Sequence, residues 1–147
     1  MDDKLRAELQ TKVFPLLTTA GVTCCYLFGS RSGHNYRPDS DLDLAVIFAN
    51  FDPGVHNLEK EIELQEAVAD LLSPLPVDLI FLQKAPVYLQ FEVISNGRVI
   101  YCTDDNFRTD FEDLVIRNYL DFKTFLDRYY RDMCEDFLRI GLLNLVH

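Results

Sequence analysis

The sequence predicts an α/β chain of the mixed (α+β) kind, a small mixed β-sheet flanked by helices. Three observations carry that reading. Short apolar runs at 22–28, 42–48 and 77–82 each have the length and composition of a buried strand. Between the second and third, the segment Leu58–Leu72 repeats its apolar residues at helical spacing. From 107 to about 139 apolar residues again recur with the helical period, so a long C-terminal helical segment follows the sheet.

Taken in order, residues 3–19 carry Leu5, Leu9, Val13, Leu16 and Leu17 at helical spacing. Pro15 predicts a kink or an early end there, because proline lacks an N–H and its ring crowds the preceding turn. Gly21 is the expected stop before the first strand. A polar loop at 31–40, punctuated by Gly33, Asn35 and Pro38, leads to the second strand. Asp52-Pro53-Gly54 forms a turn after it. The helix Leu58–Leu72 should place Leu58, Ile62, Gln65, Ala69 and Leu72 on one side and acids on the other, as an amphipathic crossover. Ser73-Pro74-Leu75-Pro76 ends it. A helix at 86–95 has Pro86 near its first position and Gly97 just past its end. Arg98–Cys102 reads as a short strand, with Asp104 or Asp105 as the cap of the last helix. Unbroken, the pattern at 107–139 would span roughly 45–50 Å at ~1.5 Å per residue, longer than so small a domain needs. Its stripe, with Phe111, Val115, Tyr119, Phe122, Phe125 and Tyr129, has two readings. It completes the core, or part of it docks a partner, since Tyr and Phe are favoured in interface cores; the two can hold for different halves.

A length of 147 residues suggests one domain, 1–147, with a core at 1–103 and a C-terminal helical segment at 104–147. No apolar run approaches the ~20 residues of a membrane span, and Met-Asp-Asp-Lys does not begin a signal peptide. No membrane association is expected, and a cytoplasmic location is. Cys24, Cys25, Cys102 and Cys134 have no metal-ligand spacing and read as thiols in a reducing compartment, two of them in a core strand. The net charge of −10 argues against an extended phosphate-binding surface, so no direct nucleic-acid binding is expected; it would suit a basic protein partner.

The chemistry-bearing residues gather where the first two strands meet the loop. Asp41 and Asp43 are two apart, so on an extended chain both carboxylates project to one face while Leu42 and Leu44 face the other. Two such carboxylates repel unless a cation lies between them, and a hard ion such as Mg²⁺ is often held by one or two carboxylates together with substrate phosphates. Gly29-Ser30, just past the first strand, offers backbone N–H groups, a hydroxyl and close approach to a phosphate. Asp78 is the one acid in the apolar run 77–82, and taken alone it is equally a ligand or a turn-side residue. Arg31 is placed to reach phosphate oxygens or to stay solvated, while Asp39 or Ser40 shapes the turn. His34, His56 and His147 read as bland.

Gly29-Ser30, ten residues, then Asp41-Leu42-Asp43 resembles the GSx10DxD signature of minimal nucleotidyltransferases in the DNA polymerase β-like superfamily. The approach Arg37-Pro38-Asp39-Ser40 is similar too. At this length the chain most resembles the MntA-type antitoxins partnered with HEPN-domain toxins. The likeness covers roughly the first two thirds in motifs, and the C-terminal third only in length and helical character. It implies a nucleotidyltransferase fold, with Asp78 as a third carboxylate beside Asp41 and Asp43. Together these would hold one or two Mg²⁺ ions, with ATP as substrate and Gly29, Ser30, Arg31 and Ser40 toward the nucleotide. It further implies transfer of AMP to a tyrosine of the cognate HEPN ribonuclease, neutralising it. Two alternatives stand beside this reading. A small-molecule nucleotidyltransferase of the aminoglycoside-modifying kind would want a second domain for its acceptor. An antitoxin acting by binding alone would have no need of three converging acids.

Overall fold

The computed structural model describes residues 3–29 and 40–146, with side chains described as far as residue 141. Two short helices come first, α1 (Asp3–Glu8) and α2 (Phe14–Thr19), joined by a π-helical stretch, Leu9–Val13. Pro15 does not end the helix. The widened π turn directly before it takes up the missing N–H and the crowding of the ring, and the chain stays helical to Thr19. Leu5, Leu9, Val13 and Leu17, one turn apart, are buried against the sheet. Gly21 then takes φ +82° and lets the chain reverse, its N–H donating to Thr18 O at 3.1 Å.

Four strands form one sheet in the order β3-β2-β1-β4. They are β1 (Cys24–Phe28), β2 (Leu42–Ile47), β3 (Val77–Phe81) and β4 (Arg98–Cys102). β1 is antiparallel to both β2 and β4, whereas β2 and β3 are parallel. A parallel pair needs a crossover, and α3 (Leu58–Leu72) supplies it. Asn57 caps α3, its Oδ1 accepting from Lys60 N–H at 3.1 Å. This is the mixed α/β architecture expected from the sequence. Strand alternation divides the core into two layers. Leu27, Leu42, Leu44 and Val46 pack toward α1, α2 and α3. Tyr26, Ala45 and Ile47 pack toward α4 (Val87–Asn96) and the first turns of α5 (Asp105–Val146).

The buried face of α3 is not the expected one. Leu64, Val68 and Leu72 are buried, while Leu58 and Ile62 are 62% and 48% exposed. The reason is β3, an edge strand whose outer backbone groups need partners. Gln65 Nε2 donates to Val77 O and Leu79 N–H donates to Gln65 Oε1, each at 2.9 Å. Phe81 N–H donates to Glu61 Oε2 at 2.8 Å. The helix turns its Glu61–Gln65 row toward the strand and stands in for a further strand, which rotates Leu58 and Ile62 to the surface.

Asp104 caps α5 by accepting from Phe107 N–H at 3.0 Å. The helix runs 42 residues, beyond the expected 107–139. Its root is tied to the sheet: Tyr26 Oη donates to Glu112 Oε1 at 2.8 Å, and Arg108 pairs with Glu112 at 3.0 Å. Phe111 and Val115 are buried, and Tyr119 stacks on Phe91 with ring centroids 3.8 Å apart. Further along, Phe125, Tyr129 and Phe137 are exposed, Phe137 at 76%. The first part of the stripe therefore completes the core, and the second faces outward.

Candidate active site

Phe28, the last residue of β1, pairs with Asp43 of β2, so the turn after β1 lies against the start of β2. Gly29 occupies that turn with φ +73°, a left-handed conformation that side chains disfavour. A Cβ at Gly29 would also run into the Asp43 carboxylate. Two separate demands for glycine meet at one position. Ser30 and Arg31 lie outside the described residues, as do Asp39 and His34. Ser40 is half-buried and leads directly into Asp41.

Asp41 is exposed just ahead of β2, and Asp43 is half-buried as its second residue. Asp78, the exposed second residue of β3, sits directly across the parallel ladder from Asp43. Leu42 N–H donates to Pro76 O at 2.9 Å, which locks the entrances of the two strands together. Period-2 alternation puts Asp43 on the strand face of Ala45 and Ile47, and Asp78 on that of Ile80, the side covered further along by α4 and α5. Burial raises the pKa of the Asp43 carboxyl, and the negative charges of Asp78 and Asp41 raise it further. Among the described residues no group of three or more His, Cys, Asp or Glu side chains is gathered closely enough to hold a metal ion. The three acids instead form an open set of oxygen donors, in which the charges of Asp78 and Asp41 both act on Asp43. That donor chemistry fits a hard divalent cation such as Mg²⁺, whose remaining positions are filled by water and phosphate.

Two hollows among the described residues lie away from these acids. One of about 430 Å³ is lined by Gln90, Phe107, Phe111 and Asn118, and another of about 390 Å³ by Leu16, Phe48, His56 and Phe81. Two arrangements, one beside the acids and one away from them, were not visible in the linear pattern. Gln65 brackets Asp78 by bonding to the residue on either side of it; its only advance sign was an amide on an otherwise apolar helix face. His56, read as bland, stacks on Phe48 with centroids 4.1 Å apart while its Nδ1 accepts from Asp52 N–H at 2.9 Å.

The family described as polymerase beta, nucleotidyltransferase matches residues 12–106, which include all four strands and the three acids. No curated protein sequence matches the chain. Among solved structures, a toxin–antitoxin complex with AMP-PNP is 25% identical, covering 84% of this chain and 97% of that one, with a TM-score of 0.69. A tri-AMPylated Shewanella oneidensis HEPN toxin in complex with MNT antitoxin gives a chain 24% identical, covering 88% and 97%, with a TM-score of 0.66. The toxin–antitoxin MntA-HepT gives one 23% identical, covering 89% and 98%, also at 0.66. Gly29 pressed against Asp43, the ladder partner of Asp78, thus lies within the matched segment, and the chain belongs to the polymerase β nucleotidyltransferase family.

Proposed function

We propose that this protein is the antitoxin of a toxin–antitoxin pair and works as a Mg²⁺-dependent nucleotidyltransferase. It moves AMP from ATP to a tyrosine hydroxyl of a cognate HEPN-domain ribonuclease toxin in the cytoplasm. The observation that carries the chemistry is the convergence of Asp43, Asp78 and Asp41 beside Gly29, in a chain of nucleotidyltransferase family. The antitoxin role draws support from the likeness in fold to a toxin–antitoxin complex holding AMP-PNP and to a complex whose toxin carries AMP. Asp41, Asp43 and Asp78 are the residues that hold the metal, one or two ions. Bound there, Mg²⁺ supplies charge neutralisation for an in-line displacement at the α-phosphorus.

This chain's own residues do the positioning. Gly29 brings backbone against the departing pyrophosphate without a side chain in the way, and Ser30, Arg31 and Ser40 complete the nucleotide-facing rim. Asp78, exposed on the edge strand, faces the acceptor and receives the tyrosine hydroxyl's proton as its oxygen attacks. Little covalent chemistry is asked of the protein, because alignment and electrostatics account for such transfers. A binding-only antitoxin is the second reading, and the exposed aromatic residues of α5 favour docking in either case.

The test incubates purified protein and cognate toxin with Mg²⁺ and ATP labelled at the α or the γ position. Label on the toxin from the α position only, lost in Asp41→Asn/Asp43→Asn, is the expected result. Label from the γ position only would mean kinase chemistry. Neutralisation by an unlabelled complex, with the double variant equally protective, would leave binding as the mechanism.

A further inference from the structure

Cys24 of β1 stands directly opposite Cys102 of β4. The neighbouring rung is closed by Thr103 N–H donating to Thr23 O at 2.9 Å, which makes the cysteine rung the non-hydrogen-bonded kind. In such rungs the Cα atoms are ~4.5 Å apart and the side chains lean together. That lies at the short end of the ~4.4–6.8 Å span over which a disulfide closes without backbone movement. Both side chains belong to the layer beneath α4 and α5, packed with Tyr26 and Phe111. Cys25 points into the opposite layer, and Cys134 is exposed on α5. The two facing thiols differ in access, Cys24 being buried and Cys102 partly exposed.

We propose that Cys24 and Cys102 form a reversible oxidation site, closing to a disulfide between the first strand and the last when the protein meets a hydroperoxide. Cys102 reacts first because it is the one that solvent reaches. Its sulfur attacks a peroxide oxygen, the O–O bond breaks, and a sulfenic acid and one water form from hydrogen peroxide. The Cys24 sulfur then attacks the sulfenic sulfur. The S–S bond forms, the S–O bond breaks, and the hydroxyl leaves with the Cys24 proton as a second water. Two thiols and one hydrogen peroxide thus give one disulfide and two waters. Burial raises the Cys24 thiol's pKa, as does its hydrogen bond with Cys102, so Cys24 is not the thiol that starts the reaction; its place opposite Cys102 is what lets it resolve the sulfenic acid. Residues 24 and 102 bracket Gly29, Asp41, Asp43 and Asp78, and Cys102 lies just ahead of α5. The cross-link closes a loop around the candidate site and clamps the root of the long helix, whatever reaction that site performs.

The experiment uses the full chain carrying Cys134→Ser, which removes the exposed thiol. It is treated with hydrogen peroxide, examined by intact mass and peptide mapping, and then reduced with dithiothreitol. The expected result is a monomer lighter by two hydrogens, a linked peptide joining the segments of Cys24 and Cys102, and a melting temperature that rises on oxidation and falls back on reduction. Adding Cys25→Ser should leave the linkage intact, and adding Cys102→Ser at the partly exposed position should abolish it. Stable addition of oxygen at Cys102 with no linked peptide would overturn the proposal. So would a two-hydrogen loss that survives Cys102→Ser.

Discussion

Gln65→Leu tests whether α3 holds the edge strand and, through it, the third carboxylate. The substitution keeps much of the side-chain volume and removes both hydrogen bonds, to Val77 O and from Leu79 N–H. A hydrogen bond of this kind contributes ~0.5–1.5 kcal/mol, and a buried group left without one costs ~1–3 kcal/mol. These groups are part-buried and water can reach the strand edge, so the lower range applies. Two bonds at roughly 1 kcal/mol each predict a loss of about 2 kcal/mol. At roughly 2–4 °C per kcal/mol for a chain near this size, the melting temperature should fall by about 4–8 °C. Urea unfolding measures the free energy, and hydrogen exchange at the Leu79 amide reports the local opening. Gln65→Glu, which keeps the acceptor for Leu79 N–H and loses the donor to Val77 O, should fall between wild type and Gln65→Leu. A loss below about 0.5 kcal/mol in Gln65→Leu, with Leu79 protection unchanged, would refute the account, because a bond replaced by water at no cost contributes nothing net.

Two further predictions concern the acids and their glycine. Gly29→Ala forces a side chain into the left-handed region, which costs roughly 1–2 kcal/mol, and pushes the Asp43 carboxylate aside. Both the melting temperature and AMP transfer should drop, and an unchanged melting temperature would mean that the turn is not held in this conformation. Asp43→Asn should stabilise the metal-free protein at pH 7. The folded-state pKa of Asp43 is raised, so its stability contribution is fully present below the unfolded carboxylate pKa and is lost as pH rises through the folded one. The variant's advantage should therefore appear at neutral pH and vanish in acid, and Mg²⁺ should raise the wild-type melting temperature more than the variant's. A variant no more stable than wild type at pH 7 would remove charge repulsion from the site.

Features governed by a few neighbouring residues could be read directly from the chain. Gly21 turns the backbone at positive φ, and Asp104 caps α5 from the position just ahead of it. The apolar runs became β1, β2 and β3 to within two residues at each end. Other features depend on which distant segments meet. Nothing local to Val77–Phe81 says that it is an edge strand, yet that fact turns Gln65 and Glu61 toward the sheet and exposes Leu58 and Ile62. His56 looks unremarkable in a turn and acquires its role only from Phe48 arriving beside it. The pairing of Asp43 with Asp78, and of Cys24 with Cys102, is likewise a matter of register. A slip of one residue would send each side chain to the opposite layer, and what prevents the slip is the fit of each strand face to its own set of helices, far away in sequence. Strand and cap are short-range chemistry; partners across the sheet are selected by packing of the whole core.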